Sequence, residues 1–309
     1  MNPMRRHFLS LGALLLTWLP LAWRAEAAEE QLTVVASFSI LGDLVQEVGG
    51  DTIALHVLVG PNSDGHVYQP TPSDSRLLRT ADLVVVNGLG FEGWMERLIA
   101  AAEYQGDLLV ASDGMVPLMA GGGSTPQPDP HAWQDIANVK RYVTNIAEAL
   151  ARLSPDRAAM FRARAQRYHA TLDELDADIR TRIASLPPDA RTIVTSHDAF
   201  TYFGRAYGLQ FVAPVGINSD SQPSAADLAR LITQIREQRI SAVFLENITD
   251  PHLLEQITRQ TESQVGGTLY SDALSEPDGP APTYVALWRH NIRVLSSALR
   301  ATPSPHPHR

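Results

Sequence analysis

The chain has 309 residues, 44% apolar and 19% charged, which excludes collagen-like, disordered and coiled-coil classes and suits about two domains. Its 25 lysines and arginines against 34 acidic residues leave a formal charge of −9, which argues against a nucleic-acid partner and against an anionic membrane surface. With no cysteine, disulfides, thiolate ligands, thiol catalysis and a lipid-modified N-terminal cysteine are excluded, so any metal must be held by nitrogen and oxygen.

The first element is read as a targeting segment. Arg5 and Arg6 precede an apolar run from Phe8 to Trp23, and Ala25-Glu26-Ala27 supplies a small-x-small cleavage pattern. The run is shorter than the roughly 20 residues of a spanning helix. Residues 1–27 are therefore expected to be a cleaved signal peptide, and the mature protein to be periplasmic.

Short apolar runs rich in β-branched residues then alternate with helical patterns. Strands are expected at Leu32 to Phe38, Ile53 to Val59, Leu83 to Asn87 and Leu108 to Ala111, with a second set at Thr192 to Ser196, Phe211 to Val215, Ala242 to Glu246 and Thr268 to Tyr270. Such alternation predicts an α/β fold with parallel sheets covered by helices. Residues 114–130, with Gly121-Gly122-Gly123 and four prolines, read as a mobile surface loop. Between the two sets, Ser154-Pro155-Asp156 reads as the start of one helix that runs without Gly or Pro to Leu186 and stops at Pro187-Pro188. Its apolar residues Phe161, Ala165, Tyr168, Leu172, Leu175, Ile179, Ile183 and Leu186 recur at spacings of three and four, so a single stripe faces inward along a rod of about 45 Å. The expected organisation is an N-terminal α/β lobe over 28–153, a linking helix over 154–188, a C-terminal α/β lobe over 189–302 and a disordered tail over 303–309.

Of the ten histidines, three sit in similar settings, each in a loop or at a strand end: His66, His131 and His197. Asp272 follows the last strand in the same way. Ligands of open α/β sheets bind beyond the carboxyl ends of strands. Three imidazoles and one carboxylate from four separate segments could close a tetrahedral shell on a metal with bonds near 2.0–2.2 Å.

In chain order, Asp64-Gly65-His66-x-Tyr68, Asp129-Pro130-His131-x-Trp133-x-Asp135, Ser196-His197-Asp198-Ala199-Phe200 and Tyr270-Ser271-Asp272-Ala273-Leu274-Ser275 resemble the periplasmic zinc/manganese-binding proteins of metal ABC transporters. The resemblance covers nearly all of residues 31–300. It implies two lobes with parallel-rich sheets, joined by one long central helix, and a metal in the interlobe cleft held by His66, His131, His197 and Asp272. It further implies no catalysis: a monomer captures a divalent metal as cargo and delivers it to an ABC permease in the inner membrane. Manganese-leaning members more often place a carboxylate where this chain has His197, so Zn²⁺ is the expected cargo and Mn²⁺ the alternative. Two departures stand out. Gly65 replaces the usual proline, for which a looser turn and the same coordination are expected. The loop over 114–130 holds no histidine, and His306 and His308 in the tail read as solvated bystanders.

Other residues receive structural readings. Tyr68 and Trp133 are expected to pack the pocket wall, with Tyr68 also able to donate to a ligand. Asp135 is read as the cap of a helix beginning at Ile136. Glu246 is read as hydrogen-bonding to a ligand rather than ligating. His56 and His169 are read as structural, and His252 and His290 as surface or packing residues. A zinc hydrolase, with Glu246 as general base, is the rival reading. Asp272 would close the position that a catalytic water needs, and no His-Glu-x-x-His helix occurs. An adhesin on the same fold would leave no spacing signature.

Overall fold

The run Val34–Phe38 is buried on both faces, which only an interior strand between two helical layers can satisfy. It lies in β1 (Leu32–Phe38), flanked by β2 (Ile53–Val59) and β3 (Leu83–Val86), with β4 (Asp107–Val110) outside β3. All pairs are parallel and the order is β2-β1-β3-β4. A computed structural model describes residues 31–120, 126–187, 191–221 and 223–300 of the chain. The segment over 1–27 expected to be a signal peptide, Gly121 to Gly123, Pro188 and the tail with His306 and His308 lie outside the described residues.

The second sheet holds β7 (Thr192–Val194), β8 (Gln210–Val212), β9 (Ala242–Glu246) and β10 (Gln264–Leu269), again parallel, in the order β10-β9-β7-β8. Read from its other edge, β8-β7-β9-β10 repeats the order of the first sheet, although the sequence shows no repeat. Strand ends shift most from expectation in this sheet, where β8 stops at Val212 rather than Val215. β7 ends at Val194, and pairing resumes only at a His197–Val215 bridge. β10 starts at Gln264, before Gly266 and Gly267, where the register slips and Gly267 takes φ 137°, a conformation that suits glycine.

Helices cover both sheets: α1 (Ser39–Gly49), α2 (Pro72–Arg79), α3 (Met95–Ala102) and α4 (Ile136–Leu153) in the first half, α6 (Thr201–Tyr207), α7 (Ala225–Gln238), α8 (His252–Arg259) and α9 (Tyr284–Arg300) in the second. Asp135 caps α4, accepting from Ala137 N at 2.9 Å. Between the halves runs α5 (Ala158–Ala184), 27 residues and about 40 Å long. Its buried residues are the predicted stripe from Phe161 to Ile183, which packs on α1, α4, α6 and α9. Its start differs: Pro155–Arg157 is a short 3₁₀ turn, and Ser154 makes no side-chain cap.

The stripe belongs to one apolar cluster that includes Val34 and Leu83 of the first sheet, Ile193, Phe244 and Leu269 of the second, and Trp288 of α9. A smaller cluster, centred on Leu231, Ile235, Val243, Leu254 and Ile257, lies under α7 and α8. Part of 114–130 is ordered rather than loose. Met119–Ala120 (β5) pairs antiparallel with Gln127–Pro128 (β6), and Asp129 N donates to Leu118 O at 2.8 Å, so this strand pair leads directly into the buried Asp129 and His131. Among the described residues no helix is long and apolar enough to cross a membrane.

Candidate metal centre

Four segments bring His66, His131, His197 and Asp272 together, with one donor atom of each within 4.8 Å of all the others. His66 lies in the turn after β2, His131 after β6, His197 after β7 and Asp272 after β10. Asp272 Oδ2 is the hub, 3.2 Å from His197 Nε2, 3.4 Å from His66 Nε2 and 3.7 Å from His131 Nε2. The Nε2 atoms of His66 and His131 are 3.3 Å apart. A tetrahedron with bonds of 2.0–2.2 Å has edges of about 3.3–3.6 Å, so these separations leave space for one ion of that size. His131, His197 and Asp272 are buried, and the His66 side chain is 5% exposed. His197 Nε2 and both Asp272 carboxylate oxygens have no hydrogen-bond partner. Buried polar atoms are seldom left so, which suits a cation at their centre.

Carboxylates outside the cluster orient two of the rings. Asp129 Oδ1 stands 2.8 Å from His131 Nδ1 and also accepts from His131 N at 3.0 Å. Glu246 Oε2 stands 2.7 Å from His197 Nδ1, while Oε1 accepts from His197 N at 2.8 Å. A proton on each Nδ1 leaves the Nε2 lone pair facing inward, as ligation requires. Glu246 thus touches a candidate ligand rather than joining the four. His66 differs. Its N–H donates to Asp64 Oδ1 at 2.8 Å and its ring stands edge-on to Phe91, with centroids 4.6 Å apart.

Burial alone would keep His131 and His197 neutral, but neighbouring carboxylates outweigh it. Asp272 and Asp129 push His131 up to about 9, and Glu246 with Asp272 holds His197 well above the usual imidazole range. Asp272 is the counterpart: burial opposes its charge, yet His197 and His131 hold it well below the usual carboxylate range.

Aromatic packing joins the site to the core. Trp133 is fully buried against Phe38 and Phe91, and its Nε1 donates to Ser271 O at 2.9 Å, beside Asp272; Gln134 Nε2 donates to the same oxygen at 2.7 Å. The loop bearing His131 is thereby tied to the segment bearing Asp272. Tyr68 packs on Trp94 and donates to Asp74 Oδ2 at 2.9 Å. The turn at Gly65 is pinned rather than loose: Trp94 Nε1 donates to Gly65 O at 2.8 Å, and a Cβ on Gly65 would meet the Phe91 ring at 2.6 Å. His56 is exposed on β2, not structural; His169 contacts Lys140 O at 3.0 Å, and His290 contacts Thr268 O at 2.9 Å.

The sequence reading passed over Asp64 and Asp129. Both stand two residues before a candidate histidine, where an Asp side chain accepts that residue's backbone N–H.

Residues 34–298 match the family described as zinc-uptake complex component A, periplasmic. Among relatives, the manganese-binding lipoprotein MntA of Halalkalibacterium halodurans is 33% identical over 272 residues, covering 87% of this chain and 89% of that protein. The iron-binding protein YfeA of Yersinia pestis is 34% identical over 268 residues, covering 86% of each. The solved structure of the periplasmic zinc-binding protein TroA of Treponema pallidum superposes with a TM-score of 0.82 at 31% identity, covering 87% of this chain and 99% of that one.

Proposed function

We propose a function from the premise that the chain belongs to the zinc-uptake complex component A family: it is a periplasmic metal-binding protein that serves an ABC transporter and performs no chemical step. Its ligands are His66, His131, His197 and Asp272, its cargo is one Zn²⁺, and its partner is the inner-membrane permease of that transporter. Export by a cleaved leader and action as a monomer complete the reading. One observation carries the metal assignment: three imidazole nitrogens and one carboxylate oxygen converge within 4.8 Å of one another, with Asp272 Oδ2 3.2–3.7 Å from the three nitrogens and His66 Nε2 3.3 Å from His131 Nε2, near the edge lengths of a tetrahedron that zinc favours.

Mn²⁺ is the second reading, and one specific observation favours it. Asp272 Oδ1 is buried without a hydrogen bond, so it is available as a fifth, oxygen donor of the kind manganese prefers. The named cargoes of the relatives, manganese, iron and zinc, leave room for both.

The test has two arms, because nitrogen and oxygen sites generally bind zinc more tightly than manganese whatever the cell uses. Metal-free protein is offered equimolar Zn²⁺ and Mn²⁺, and a deletion strain is grown under chelation with each metal restored. Zinc loading at about one ion per chain, with growth rescued by zinc, is expected. Rescue by manganese alone would replace the cargo and leave the transporter role standing.

A further inference from the structure

His131 and His197 are each held by a carboxylate on Nδ1, whereas among the described residues His66 has no carboxylate other than Asp272 within ion-pair distance. It is also the candidate ligand with the most exposed side chain. Its position is set instead through its main chain, by Asp64. Elsewhere an Asp in this turn uses one oxygen for both the backbone N–H and the ring two residues on, as Asp129 does for His131. Asp64 is diverted. Its Oδ1 takes the His66 N–H, and its Oδ2 accepts Ser219 Oγ at 2.6 Å from the segment between β8 and α7, 155 residues away. That segment supplies none of the four donors, yet its serine reaches the turn that carries the outermost one.

Resting on the ligand assignment above, we propose that Asp64 and Ser219 form a bolt across the mouth of the site that sets the rate at which metal leaves. His66 is the gate. With Asp272, His131 and His197 buried and two rings clamped, an ion escapes when the His66 turn swings outward, and that swing must break the Ser219 to Asp64 hydrogen bond as well as the Trp94 to Gly65 one. Asn62, in the same turn, donates its N–H to Leu274 O at 2.9 Å and accepts from Asn247 Nδ2 at 3.2 Å, so the turn is hinged on the second half at Asn62 and bolted to it at Asp64. A partner that engages the segment around Ser219 would open the gate without touching a ligand.

A hydrogen bond to a charged group is among the stronger kinds, and its loss should speed release about tenfold. The experiment loads wild-type, Ser219→Ala and Ser219→Thr full-length mature protein with Zn²⁺ and follows release into excess EDTA by stopped flow, alongside urea unfolding of each metal-free form. Release about tenfold faster for Ser219→Ala, a wild-type rate for Ser219→Thr and an unchanged metal-free unfolding midpoint are expected. A wild-type rate in Ser219→Ala, no rescue by threonine, or acceleration matched by an equal loss of metal-free stability would each overturn the bolt. If wild-type protein itself fails to hold Zn²⁺, the ligand assignment falls and the bolt with it; a wild type that holds Zn²⁺ beside an unaffected Ser219→Ala removes the bolt alone.

Discussion

The tripeptide Asp-Pro-His occurs twice, at 129–131 and at 250–252. Locally the copies are alike. Each aspartate accepts the backbone N–H of its histidine, at 3.0 and 2.9 Å, and each pairs with that histidine's Nδ1. Their surroundings are opposite: His131 is buried among three other donors, while His252 opens α8 with its side chain 82% exposed. The turn orients an imidazole wherever it occurs. What sets one copy apart as a candidate site is the remote chain that encloses it, namely Asp272, His197 and His66 from three other segments.

Three measurements would break or sharpen this contrast. The largest difference is expected from removing each histidine. His131→Ala should weaken metal binding by more than about 100-fold, beyond the 10–100-fold usual for groups that only orient a ligand, whereas His252→Ala should leave it unchanged in calorimetric titrations. Equal losses from the two variants would mean that the surface copy binds metal too.

Next in size is pH. His131 at about 9, and His197 well above its usual range, carry protons at neutral pH when no metal is present. Binding must displace both, so apparent affinity should fall about 100-fold for each pH unit below neutrality, with about two protons released per ion in paired-buffer calorimetry. The same shifts act on the metal-free fold. A histidine raised from 6.5 to about 9 contributes stability in full below 6.5 and loses it as pH rises through 9, so the metal-free protein should unfold more easily at pH 9.5 than at 6. Release of less than one proton per ion would contradict the charge pattern around Asp272.

The smallest effect separates the two aspartates. Asp129→Asn should cost 10–100-fold in affinity by loosening the ring, and Asp250→Asn should cost nothing. An Asp129→Asn variant with wild-type affinity would show that burial alone orients His131.

Local signals made much of the molecule legible. The β-branched runs marked all eight strands of the two sheets, the three-four spacing from Phe161 to Ile183 marked the inward face of α5, and the four ordered motifs marked the residues that converge. Asp135 and Glu246 followed from their places at a helix start and a strand end. What stayed hidden depends on distant pairing. Ser219 looks like any loop serine until the fold brings Asp64 to it, and the paired strands Met119–Ala120 and Gln127–Pro128 are too short for a periodic pattern. The matching strand order of the two sheets also leaves no trace, because topology constrains burial and not residue identity. Glycines masked the first half of β10, where the bulge at Gly267 interrupts the pattern that betrays a strand.

The stripe along α5 has a calorimetric consequence. Because its apolar cluster is shared by both sheets, the two sheets should melt together in one calorimetric peak whose van't Hoff and calorimetric enthalpies agree, and the separate cluster under α7 and α8 is the one place where a second, smaller transition would arise. A half cut free of the other would bare the flank of a common interior, and its fate in water would be aggregation rather than independent life as a small domain.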